Sequence, residues 1–254
     1  MRLGLEIVAV TGLPEIREGD DLGPLIASGA EASDVQLTDG DAVVVAQKIV
    51  SKAEGRTRDL AGVEPSERAS ELAHGLGKDP RLVELILSES VRVVRAERDV
   101  LIVETRQGWI CANAGIDASN VPGGETVALL PVDPDASARR LRAELAAVAD
   151  VSPAVLVADT FGRPWRLGQT DVAIGCAGLE VLDDWRGRGD QHGRTLKATT
   201  VAVADELAAA ADLARNKADG VPAVVVRGAE RWVTSDDGPG AALIRRAAED
   251  DLFR

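Results

Sequence analysis

Residues 155–178 read VLVADTFGRPWRLGQTDVAIGCAG. The short apolar run 154–158 at the head of this stretch predicts a buried strand. That strand is expected to end at Asp159 and Thr160. Arg163, Arg166, Gln169 and Asp171 follow in a Gly-rich connection. Polar groups projected from the end of a strand into such a connection are a common way to build an active site. Asp159 can bind a metal through its carboxylate and Thr160 through its hydroxyl. Arg163 and Arg166 can pair with phosphate or carboxylate. An Asp ending a strand is also an ordinary cap or turn residue, so the stretch by itself marks a site of open chemistry.

Outward from this point, further short apolar runs read as buried strands: 5–10, 42–45, 100–103, 126–130 and 223–226. Helical patterns lie between them. One is expected to start near 25–27, and others to span 65–76, 80–88, 135–148 and 200–214. Asp135 or Ser137 can cap the fourth, in which Leu141, Leu145 and Val148 recur at helical spacing. Strands and helices alternate irregularly and no internal repeat is visible, which places the chain in the α+β class. The composition changes at Ser235. Residues 1–234 read as one domain and 235–254 as a C-terminal tail or linker.

Composition narrows the function. The 254 residues carry a formal net charge of −13, which repels phosphate backbones and argues against nucleic-acid binding. A phosphorylated small ligand is still admissible, because carboxylates hold divalent cations and cations hold phosphates. Cys111 and Cys176 sit in apolar stretches without zinc spacing and read as buried, reduced thiols. Neither a signal-peptide core nor a run of membrane-helix length is visible, so a cytoplasmic protein away from the membrane is expected. No GxxxxGK[ST] appears, and no GxGxxG follows a strand, so neither a P-loop nor a Rossmann site is supported.

Three other clusters carry candidate chemistry. Residues 10–16 (VTGLPEI) run from a strand into a Gly/Pro turn. Residues 39–56 deliver Gln47, Lys48 and Lys52 after a buried strand, where lysine can neutralise phosphate. An exposed, charged helix start explains the same residues equally well. Residues 113–124 (NAGIDASNVPGG) place Asp117 and Asn120 among small residues that let backbone N–H groups approach a ligand. Asp117 is there either a hard-metal ligand or an Asx-turn residue.

Taken together, the segments at 12–16, 40–45, 50–56, 114–121, 129–137, 158–163, 168–175, 201–207 and 222–228 resemble the coenzyme F-420-0:L-glutamate ligase family (F-420-0 gamma-glutamyl ligases). Each motif is weak alone; their shared order over about residues 5–228 is specific. The resemblance implies two interlocked α+β subdomains in a homodimer. It implies a GTP-dependent ligase that adds L-glutamate to the deazaflavin coenzyme precursor F-420-0 through an acyl phosphate, then further γ-linked glutamate. Two divalent ions, Mg²⁺ or Mn²⁺, would serve it, helped by K⁺.

Carried over by position, Asp117 and Asp159 look like ligands of the first metal and Thr160 of the second. Leu13, Pro14, Glu15 and Ile16 match the first nucleotide loop. Lys52, Asn120 and Gln47 match further nucleotide contacts. Asp159, Arg163 and Arg166 are the expected catalytic groups. Two positions depart from the family: Gln47, where Ser or Thr is frequent, and Thr200, where an acidic or amide side chain is frequent. A related ligase with another amino acid or acceptor, or an idle deazaflavin-binding protein, would share these segments. In some bacteria a nitroreductase-like domain follows, and EDDLFR at 249–254 resembles that junction.

Overall fold

A computed structural model describes residues 4–118, 124–215 and 220–252. Its centre is a five-stranded sheet in the order β1-β12-β2-β8-β9. The strands are β1 (Glu6–Val10), β2 (Ala42–Ala46), β8 (Ala154–Arg163), β9 (Arg166–Ala177) and β12 (Ala223–Arg227). Between β2 and β8 the chain builds α2 (Gln47–Ala53), β3 (Thr57–Asp59), α3 (Glu67–Leu76), α4 (Pro80–Ser88), β4 (Ser90–Glu97), β5 (Val100–Thr105), β6 (Ile110–Ala112), β7 (Thr126–Ala128) and α5 (Pro134–Ala149). Helix α1 (Leu22–Ala32) precedes β2, and β10 (Asp183–Asp184), β11 (Thr200–Val201) and α6 (Val203–Ala214) precede β12. The fold is α+β with several sheets.

Side-chain alternation decides the layers. Along β2, Val43 and Val45 join one apolar cluster, whereas Ala42 and Val44 join another on the opposite face. Helices α1 and α5 cover the first face through Ile26, Leu141 and Leu145. Helix α6 covers the second through Val203, Leu207 and Ala211. A third cluster forms away from this sheet, where α3 and α4 pack on β4 and β5 around Leu76, Val83, Ile86 and Leu101. This third cluster is separate from the two that cover the sheet, although Leu130 and Trp109 reach the sheet's own apolar clusters.

Most predicted elements are present, with shifted ends. Helix α5 is capped by Asp133, whose carboxylate accepts the Ala136 N–H, with Pro134 at the first turn. Asp135, one of the two expected caps, is used elsewhere. Its carboxylate accepts the N–H groups of Cys176, Ala241 and Ala242. The largest correction concerns residues 158–177. The strand does not end at Asp159 and Thr160 but runs on to Arg163, turns at Pro164 and Trp165, and returns as β9. Glycines at 162, 168 and 175 hid this hairpin, since glycine is a poor strand former. Gly175 is required by packing: a Cβ there would lie 2.2 Å from the Pro134 carbonyl oxygen of α5.

Residues 235–252 are tied to the rest of the chain. Ala241 is fully buried. The nearly buried Arg142 guanidinium donates to the carbonyls of Thr234 and Asp236 and to the Asp237 carboxylate. No helix of the described residues is long and apolar enough to cross a membrane.

Asp135→Ala leaves three backbone N–H groups without their acceptor. An orphaned donor costs about 1–3 kcal/mol when water cannot reach it. The variant is expected to lose at least about 2 kcal/mol in urea unfolding and to expose 235–252 to protease. Unchanged stability would show that water replaces the carboxylate.

Candidate active site

Strands β2 and β8 run parallel, with Ala46 opposite Ala158. Their carboxyl ends therefore open on the same side of the sheet, as the strands at a ligand crevice of a parallel α/β sheet do. On β8 the next residues are Asp159 and Thr160; after β2 the chain turns at once into α2 with Gln47 and Lys48. Asp171 faces Thr160 across the hairpin, in register. The Thr160 hydroxyl donates to the Asp171 carboxylate at 2.7 Å. Asp171 is 3% exposed, and its other carboxylate oxygen accepts from the Arg215 guanidinium.

Asp117 reaches this point from the other side. Its backbone is fixed by a two-way bridge to Ala128, at 3.1 and 2.8 Å. Just before it, Asn113, Ala114 and Gly115 form a left-handed turn with φ of 53°, 55° and 68°. That conformation is costly for Asn and Ala. The Lys48 ammonium lies 2.8 Å from the Asp117 carboxylate.

The electrostatics of Asp159 follow from this crowding. Burial pushes its carboxyl up to about 7; the Thr160 N–H pulls it down, the charges of Asp171 and Asp117 push it up, and Lys48 pulls it down. Cys111 lies close enough to feel the same carboxylate. Burial first, then the Asp159 charge, pushes its thiol up to about 12. Both cysteines are buried and free, as expected, and a thiol so perturbed is not a nucleophile at neutral pH.

Helix α2 links this acidic centre to a second group of expected residues. One turn beyond Lys48, Lys52 is 8% exposed, and its ammonium lies 2.6 Å from the Glu15 carboxylate. Leu13 and Ile16 pack against the main core and anchor the loop; Pro14 and Glu15 stay exposed. Gln47 is 2% exposed, and its amide oxygen accepts from Ser51 at 2.8 Å. The exposed helix start admitted by the sequence is thus corrected: the polar face of α2 is turned inward.

The remaining expected residues fall elsewhere. Arg163 and Arg166 stand at the far end of the hairpin, where Arg163 donates to the carbonyls of Leu167 and Gly168. Thr200 is exposed on β11 opposite Asp184. Asn120 lies outside the described residues. Sequence reasoning assigned no role to Arg215 and named Asp171 only as a polar residue of the connection after Thr160. Arg215 follows an Ala-rich helix without any motif, so only the fold reveals it.

The donor set suits a hard divalent cation. Asp117, Asp159 and Thr160 offer oxygen, and the Lys48 ammonium already stands against Asp117 as a cation would. Two buried polar atoms, Asn113 Oδ1 and Arg215 Nε, have no hydrogen-bond partner among the described residues. No three His, Cys, Asp or Glu side chains of the described residues converge into a complete metal cage. A Mg²⁺ ion needs only one or two protein carboxylates, with phosphates and water completing its shell.

The raised Asp159 sets a pH dependence. An unfolded Asp loses its proton near 3.9. Between about 4 and about 7 the folded, metal-free chain keeps a proton that the unfolded chain has released. Stability therefore falls as pH rises through this window. Asp159→Asn should gain on the parent by up to about 1.4 kcal/mol per pH unit there. Denaturant titrations with chelator at pH 4–8 read this directly; parallel profiles would refute the shift.

Comparison with known proteins gives the family. Residues 11–228 match the family described as F420-0:Gamma-glutamyl ligase. The chain is 46% identical over 253 residues to coenzyme F420:L-glutamate ligase of Methanothermobacter thermautotrophicus, covering 99% of this chain and 100% of that protein. It is 46% identical over 256 residues to the protein of the same name from Methanopyrus kandleri, with 99% of each covered. For that of Natronomonas pharaonis the identity is 47% over 257 residues, covering 98% and 95%. The chain belongs to the F420-0:gamma-glutamyl ligase family.

Proposed function

We propose that the protein is a GTP-dependent ligase that joins L-glutamate to the lactyl-phospho side chain of the deazaflavin coenzyme precursor F-420-0, and then adds γ-linked glutamate. The observation that carries the reading is that Asp117 lies near enough to act on Asp159, with Thr160 next along β8 beyond the parallel β2–β8 pairing, in a chain about 46% identical to ligases of that name.

A carboxylate is a poor electrophile, so it must be activated before an amine can attack. The acceptor carboxylate takes the γ-phosphoryl group of GTP and GDP leaves. The α-amine of glutamate then attacks the acyl carbon of the resulting acyl phosphate, and phosphate leaves as the amide forms. Two Mg²⁺ or Mn²⁺ ions would neutralise phosphate charge and orient the phosphoryl group during these displacements. Asp117 and Asp159 are the residues that would hold the first, and Thr160 the second. To hold a cation, Asp159 would give up the proton that burial otherwise retains there.

The nucleotide lies along α2 in this reading. Lys52, now paired with Glu15, turns to the phosphates as a point charge. The loop Leu13–Ile16, Gln47 and Asn120 contact the rest of the nucleotide. Arg163 and Arg166, at the hairpin end, meet the acceptor's anionic groups. K⁺ would assist, and the working form is a cytoplasmic homodimer whose subunits each comprise two interlocked subdomains.

Incubation with F-420-0, L-glutamate, GTP and Mn²⁺, read by mass spectrometry, is expected to give products heavier by one or more glutamyl units, only when GTP is present. Asp159→Ala should lower turnover by at least about 10²-fold, the scale for losing a transition-state charge partner, with the fold retained. A folded parent that forms neither GDP nor product would overturn the reading.

A further inference from the structure

Thr160 carries a hydroxyl with one hydrogen and two lone pairs. As a cation ligand it works only when the hydrogen points away from the cation. Thr160 and Asp171 are register partners across β8 and β9, and the hydroxyl donates to Asp171 Oδ1 at 2.7 Å. The other carboxylate oxygen, Oδ2, is taken by the Arg215 guanidinium. The Asp171 and Arg215 side chains are only 4% and 9% exposed. Both carboxylate oxygens are thereby occupied, and the Thr160 hydrogen has a fixed acceptor.

We propose that Asp171, held in place by Arg215 at the end of α6, is the positioning residue that turns the lone pairs of Thr160 toward a divalent cation. The inference rests on the reading of Thr160 as a ligand of the second ion. The pair is poorly explained by stability alone. Two charges taken out of water bring little net stabilisation, and apolar residues of similar size generally hold such a place as well or better. Arg215 caps α6, where a cation suits the helix dipole. Yet its guanidinium reaches Asp171, 44 residues away in sequence, and its Nε has no partner among the described residues. What the pair uniquely supplies is an acceptor of fixed position beneath Thr160.

The test is Mn²⁺ binding, followed by electron paramagnetic resonance with GDP present, in the full chain. Thr160→Ala is expected to weaken one Mn²⁺ site by about 10–100-fold, and Asp171→Asn to weaken the same site by about tenfold or more, the range for partners that orient a metal ligand. Asp171→Leu combined with Arg215→Met removes both charges together and guards against misfolding from an unpaired Arg215; it should melt like the parent yet show the same weakened site. Adding Asp171→Asn to Thr160→Ala should cost nothing more. If Thr160→Ala weakens the site while both folded Asp171 variants bind Mn²⁺ as the parent does, the positioning role is wrong and the ligand reading survives. If Thr160→Ala itself leaves Mn²⁺ binding intact, the ligand reading fails and the positioning role falls with it.

Discussion

Parallel pairing of β2 with β8 puts the ends of two buried strands side by side, Ala46 against Ala158. Everything polar in the centre of this molecule hangs on that register. Because β2 passes straight into α2, Lys48 arrives where β8 presents Asp159. Because β8 pairs antiparallel with β9, Thr160 meets Asp171. A slip of one residue would move Asp159 and Thr160 each to the face it does not now hold. Both faces of the sheet are covered by apolar clusters, so such a slip would drive charge into one core or the other.

The second constraint is charge. Asp117, Asp159 and Asp171 are close enough for each to act on the next, and the cations facing them are Lys48 and Arg215. Burial first, with the charges of Asp171 and Asp117 beside it, outweighs the Thr160 N–H and Lys48 and keeps the Asp159 proton up to about 7. A carboxyl poised in this way changes state when a divalent cation arrives. The burial and crowding that cost the chain stability at neutral pH are what a cation bound at this place would relieve.

Much of the sheet was legible in the sequence, since short Val-rich runs have one stable use. Residues 42–45 and 223–226 became β2 and β12 almost as read. What misled was punctuation. Glycines and a proline between 162 and 175 look like loop, yet Gly168 and Gly175 lie within β9, and the Pro134 backbone fills the space a Cβ of Gly175 would need. Likewise the lysines of α2 look solvated, because one sequence cannot show that the loop at 13–16 and the strand at 126–128 will cover them. The candidate site divides the same way. Asp159 and Thr160 follow a short apolar run and Asp117 lies among small residues, so all three could be picked out. Arg215 is a single cation after an Ala-rich helix, and only the crossing of α6 under β9 brings it to Asp171.

Helix α6 is accordingly more than a lid on the second face of the sheet. Its Asp205 carboxylate accepts the Ala173 N–H on β9, near its first turn, and Arg215 at its end grips Asp171 two residues back along the same strand. The helix thus holds β9 at both of its own ends. Asp171 cannot shift without moving α6, and Thr160 cannot turn its hydroxyl without losing Asp171. Two polar contacts from one helix convert the packing of a strand into the orientation of a single hydroxyl hydrogen. That rigidity is what a ligand atom requires to meet a cation in one geometry.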